Sequence, residues 1–122
     1  MKRILLVDDE KQILETMRRF LEKKGFETVT ASSGKEALEV VDSGEKPDVG
    51  VFDIKMPGMN GFECLKKIRE KGIDFPVIFL TGSLNKMAHM DELRAVGCTT
   101  EDMVHKPIDM NVIMEEINKK TG

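Results

Sequence analysis

Ile4-Leu5-Leu6-Val7-Asp8-Asp9-Glu10 decides how the rest of the chain is read. Four apolar residues run without a break and end in three acids. An unbroken run, rather than an alternating one, describes a strand buried on both faces, as in a parallel sheet covered by helices. The acids then stand where such a strand emerges. Downstream, Leu14, Met17 and Leu21, with Ile13 and Phe20 beside them, form the apolar face of a first helix that ends near Lys23-Lys24-Gly25. Thr28 to Ala31 reads as a second strand, weaker and nearer an edge. Ser33 and Glu36 have capping-box spacing ahead of Ala37, Leu38 and Val41. Val49 to Phe52 is a third strand. Pro57 to Gly61 is a turn, and Asn60 caps a helix carrying Phe62, Leu65 and Ile68. Pro76 to Leu80 is a fourth strand, Met87 to Val96 a fourth helix ended by Gly97, and Met103 to His105 a short fifth strand. Asp109 caps a last helix with Val112, Ile113 and Ile117 inward. Strands alternating with helices predict an α/β fold, a five-stranded parallel sheet with helices on both faces.

Composition narrows the function classes. The 122 residues suit one domain over residues 1–122, with no output domain expected after the last helix. Forty per cent of them are hydrophobic, enough for a core and too many for a disordered chain. A membrane-spanning helix needs about 18 consecutive apolar residues; the best runs, Ile4 to Val7 and Val77 to Leu80, are far shorter, so no membrane insertion is expected. No signal segment opens the chain, which makes the cytoplasm the expected compartment. Cys64 and Cys98 are too few for a disulfide scaffold or a zinc site and read as reduced core residues. A net charge of −3, with no Trp or Tyr, argues against direct nucleic-acid binding.

In an open parallel sheet, ligands bind beyond the carboxyl ends of the strands. Strand one is followed by Asp8-Asp9-Glu10, strand three by Asp53, strand four by Thr81-Gly82-Ser83 and strand five by Lys106-Pro107. Taken singly, Asp9 reads as an N-cap of the first helix, Asp53 as a solvated loop residue, Thr81 as a turn hydroxyl and Lys106 as a surface lysine. Taken together they are harder to dismiss. Clustered carboxylates repel, which raises a pKa or demands a cation. Oxygen-only ligands favour Mg²⁺. A hydroxyl and a lysine beside a metal-bound carboxylate suit a phosphoryl group, whose charge lies on three oxygens.

The chain resembles the receiver domains of two-component response regulators, the CheY-like family. The resemblance rests on Leu6-Val7-Asp8-Asp9-Glu10, on Asp53-Ile54-Lys55-Met56-Pro57-Gly58-Met59-Asn60-Gly61, on Leu80-Thr81-Gly82 and on Lys106-Pro107. It implies a flavodoxin-like (βα)5 fold with strand order 2-1-3-4-5. It further implies that Asp53 takes a phosphoryl group from a kinase phosphohistidine. Asp9 would bind Mg²⁺ directly and Asp8 largely through water, with Asp53 and the backbone carbonyl of Lys55 completing the protein ligands. Lys106 would pair with the phosphoryl oxygens, and Thr81 would donate its hydroxyl to them and bias a two-state equilibrium. Gly82 would leave room for the incoming group, and Lys106-Pro107 would be cis.

Two departures from the family pattern stand out. The switch position three residues before the lysine usually holds Tyr or Phe and here holds Met103, and Cys98 to His105 is about two residues longer than usual. The implied partners are a sensor histidine kinase or a histidine phosphotransfer protein on one side and a downstream protein or phosphorelay on the other. The reading is a stand-alone phosphorylation switch with self-hydrolysis rather than a multiple-turnover enzyme. A Mg²⁺-dependent aspartyl phosphohydrolase and a non-phosphorylated scaffold are the alternatives. Lys55 and Ser83 border the approach of a hydrolytic water; Lys55 is expected to shield the phosphoryl group and lengthen its lifetime, and Ser83 to orient a water.

Overall fold

A computed structural model describes residues 2–82 and 86–121, without the side chains of residues 86 and 87. Five strands, β1 (Arg3–Val7), β2 (Glu27–Ala31), β3 (Val49–Asp53), β4 (Val77–Thr81) and β5 (Met103–His105), form one sheet in the order β2-β1-β3-β4-β5. Every pairing is parallel. The helices are α1 (Lys11–Lys23), α2 (Gly34–Asp42), α3 (Gly61–Glu70), α4 (Met90–Ala95) and α5 (Met110–Thr121).

The pleat of the sheet explains the unbroken apolar runs. Successive side chains of a strand point to opposite faces. In β1, Ile4 and Leu6 pack with Leu14, Met17 and Leu21 of α1 and with Ile113 and Ile117 of α5. Leu5 and Val7 pack on the other face with Ala37 and Val41 of α2, Phe62, Leu65 and Ile68 of α3, and Leu93 of α4. Both faces are dry, so β1 from Ile4 onward, β3 and β4 are buried throughout, while β2 at the rim is partly exposed. Phe52, Phe62 and Phe79 meet inside the second layer, with the Phe62 and Phe79 centroids 4.6 Å apart.

Local capping follows the sequence with one variation. Asn60 and Glu63 form the reciprocal box at the start of α3, the Asn60 side chain accepting from Glu63 N (2.9 Å) and Asn60 N donating to the Glu63 carboxylate (3.1 Å). At α2, Ser33 Oγ accepts from Glu36 N, but the Glu36 carboxylate reaches back to Ser32 rather than to Ser33. Helix α1 stops at Lys23, and Gly25 follows with a left-handed φ of 93°.

One element differs from the sequence expectation. The helix expected over Met87 to Val96 is a 3-10 turn at Lys86–His89 followed by the six-residue α4. Both geometries bring residues i and i+3 onto one side, so the apolar spacing does not separate them. Before β5, the chain makes a second 3-10 turn at Thr100–Asp102. Thr99 accepts from Glu101 N at 3.2 Å and donates its own N–H to Asp102 at 2.8 Å. Asp102 also pairs with Lys120 of α5. The long approach is thus absorbed in a capped turn, and β5 is left with three residues.

The start of α3 presses on the sheet. Gly61 N donates to Ile54 O at 2.9 Å, and a Cβ at Gly61 would lie 2.4 Å from the backbone oxygen of Asp53. A Cβ at Gly82 would meet nothing within 4 Å. Gly61→Ala should therefore lose about 2–3 kcal/mol of stability, with Gly82→Ala losing much less, as measured by urea denaturation.

Candidate functional site

Four strand ends bring the polar residues together. The β1, β3 and β4 ends place Asp8, Asp53 and Thr81, all buried, and the β5 end places Lys106 beside them, its side chain 22% exposed. Lys106 N donates to Thr81 O at 2.8 Å, which holds the end of β5 against β4, and the Lys106-Pro107 bond is cis. The Lys106 ammonium lies 3.2 Å from Asp53 Oδ1 and 3.7 Å from both Asp8 Oδ2 and Glu10 Oε1.

Asp9 is not the N-cap of α1. Glu10 holds that position without a side-chain cap, and Asp8 Oδ1 accepts from Glu10 N at 2.9 Å. The Asp9 side chain is exposed, and Asp8, Asp9 and Asp53 each offer a carboxylate oxygen within 4.8 Å of the others. Among the described residues, Asp8 Oδ2 is buried without a hydrogen bond, 3.7 Å from the Lys106 ammonium.

The electrostatics follow from that crowding. Burial and then the Asp8 charge push the Asp53 carboxyl up to about 6, against the pull of Lys106. Burial also raises Asp8, opposed by the Glu10 N–H and by Lys106. Burial works against the Lys106 charge, but Asp8 and Asp53 outweigh it and leave the ammonium more basic than usual. One ammonium does not balance this acid cluster. An all-oxygen donor set with an unsatisfied buried carboxylate oxygen fits a hard divalent cation such as Mg²⁺.

A cavity of about 450 Å³ opens over Asp53, lined also by Asp9, Lys55, Thr81, Gly82 and Lys106. Lys55 is exposed at its mouth and makes no ion pair among the described residues. Ser83 lies outside the described residues. Met103 is buried against the layer that holds Phe79 and Leu93. Cys64 and Cys98 are buried and unpaired, as expected, and burial pushes the Cys64 thiol up to about 12.

One lining residue escapes the sequence reading. His89 closes the 3-10 turn at Lys86–His89 and reaches the same cavity. A lone histidine in a stretch read as ordinary helix gives no signal. It is the shortened α4 that brings it to the site.

Residues 4–118 match the family model described as the response regulator receiver domain. The chain is 36% identical over 106 residues to the alkaline phosphatase synthesis transcriptional regulatory protein PhoP of Bacillus subtilis, covering 87% of this chain and 42% of that protein. It is 32% identical over 118 residues to the response regulator SaeR of Staphylococcus aureus, covering 97% and 50%. The chain thus spans about half the length of these relatives. Among solved structures, the Vibrio cholerae chemotaxis protein CheY4 superimposes with a TM-score of 0.88 at 29% identity, covering 98% of each chain. The receiver domain of Francisella response regulator 1452 gives 0.87 at 29% identity, covering 99% of this chain and 97% of that one. No helix among the described residues is long and apolar enough to cross a membrane.

A raised carboxylate pKa is a stability penalty with a known sign. Below about pH 4, Asp53 is protonated whether folded or unfolded and costs nothing; the penalty grows as pH rises from there and is complete above about 6. Without a divalent cation, Asp53→Asn should be more stable than the parent by roughly 2 kcal/mol at pH 7, and the gain should vanish near pH 4. Denaturant titrations across that range measure it.

Proposed function

The chain belongs to the response regulator receiver domain family, and on that premise we propose that Asp53 accepts a phosphoryl group in a Mg²⁺-dependent reaction. The donor is the phosphohistidine of a sensor histidine kinase or of a histidine phosphotransfer protein. The observation that carries this reading is Asp53 itself. It is a buried carboxylate at a strand end, opening into a cavity, beside an ammonium at 3.2 Å and two further acids.

The chemistry divides among the side chains. An Asp53 carboxylate oxygen attacks phosphorus, the P–N bond to the donor imidazole breaks, and the imidazole takes a proton from solvent. Asp9, Asp53 and the Lys55 carbonyl would hold Mg²⁺, with Asp8 acting through water, and the bound ion would supply the charge that lets an anionic phosphoryl group approach an anionic site. Lys106 moves from the Asp53 carboxylate to the phosphoryl oxygens, a short step at its present distance. Thr81 donates its hydroxyl to the same group and draws the end of β4 toward it. The output goes to a protein partner or a phosphorelay. With Met103 buried where the family usually places a ring, the readout runs through Thr81 and the Lys86–His89 turn. Lys55, long and without an ion pair among the described residues, limits the access of water to the phosphoryl group.

Incubation with acetyl phosphate and Mg²⁺ should add one acid-stable, base-labile phosphate, lost in Asp53→Ala and on chelation of the metal. Full labelling of Asp53→Ala by mass spectrometry would remove the assignment. Asp9→Ala should lose the rise in melting temperature that Mg²⁺ gives the parent. Lys55→Ala should shed its phosphate several-fold faster than the parent, measured after the donor is removed.

A further inference from the structure

Most of the cavity lining already has a part. The acids and Lys106 form the charged cluster, Thr81 carries the hydroxyl, Lys55 guards the opening, and the other lining residues apart from His89 have no titratable side chain. His89 remains. It brings an imidazole, a side chain able to carry protons in catalysis, to the wall of the cavity over Asp53.

Two contacts fix its ring. The ring packs against Phe62 in a tilted arrangement, with centroids 5.4 Å apart, and Phe62 is anchored in the core against Phe79. On the edge, Nδ1 lies 3.2 Å from Glu92 Oε2, three residues along the chain. A carboxylate only accepts, so in the neutral ring the proton sits on Nδ1 and Nε2 carries the lone pair. No described residue hydrogen-bonds Nε2. The side chain is 22% exposed, open to water while held in place. A carboxylate orienting an imidazole whose far nitrogen is free is the arrangement that general bases use.

We infer that His89 is the general base for hydrolysis of the Asp53 aspartyl phosphate, a role that rests on Asp53 being the phosphoacceptor. A water oxygen attacks phosphorus while the bond from phosphorus to the Asp53 carboxylate oxygen breaks. The electron pair of that bond returns to the carboxylate. The water gives one proton to His89 Nε2, which releases it to solvent, and inorganic phosphate leaves. Glu92 is a positioning residue, since it orients the ring and stabilises the imidazolium. Lys55 and His89 act in opposite senses: Lys55 keeps water out, and His89 uses the water that enters.

The test loads the protein with radiolabelled acetyl phosphate and Mg²⁺, removes the donor, and follows phosphate loss from the loaded fraction alone. If the parent takes up no phosphate, or Asp53→Ala is labelled as fully, the Asp53 reading fails and this one with it. Given loading at Asp53, His89→Ala and His89→Phe should lose phosphate at least roughly tenfold more slowly than the parent. Added imidazole should restore part of the rate to His89→Ala, and Glu92→Gln should slow hydrolysis by a smaller factor. A parental rate in His89→Phe, which keeps a ring against Phe62 without a nitrogen, overturns the inference. Slow hydrolysis in both His89 variants with no response to imidazole overturns it as well.

Discussion

Two carboxylates at neighbouring strand ends, Asp8 and Asp53, are held buried near one another by a sheet whose register allows neither to withdraw. In β1, Val7 pairs with Phe52 of β3, so the residues that follow emerge side by side. Both faces of those strands are sealed by helices, so the strand ends cannot shift without opening the core. The repulsion is therefore built into the fold, and the surrounding features answer it. The Glu10 N–H turns to Asp8, the Lys106 ammonium sits between the two acids, and an all-oxygen pocket opens toward solvent. A site that is uncomfortable when empty of cations is the one in which binding a cation, and then an anion, releases the most free energy.

The fold was legible in the sequence because its central strands carry no mixed message. Ile4 to Val7 and Val77 to Leu80 are apolar without interruption, and only a sheet covered on both sides accounts for that at such short length. The site was legible for a related reason. Asp53 and Thr81 end their strands, Asp8 and Lys106 directly follow theirs with Asp9 next to Asp8, and parallel topology sends all those ends to one edge. Where the reading slipped, local geometry had been inferred from spacing alone. The stretch from residue 86 to 96 looked like one helix because 3-10 and α geometry share the i, i+3 repeat. His89 was lost with that helix boundary, since its place in the cavity depends on where the tighter turn ends.

The same comparison explains Met103. Counting back from Lys106 finds its position, but not that the side chain is packed with Phe79 and Leu93 rather than presented to solvent. A flexible thioether fills space that a rigid ring would have to leave or enter as a unit.

The two rims of the sheet are unequal. At one, β5 has three residues, and the chain just before it is folded into a turn whose Asp102 is tied to α5 through Lys120. Too few backbone groups are left unpaired there for another strand to add productively. At the other, β2 runs for five residues and is partly exposed. Unpaired strand edges template aggregation, and short strands or charged side chains blunt them. The extra residues before β5 thus protect one border of the sheet, while on β2 that task falls to charge, with Glu27 paired to Arg3 at its first residue.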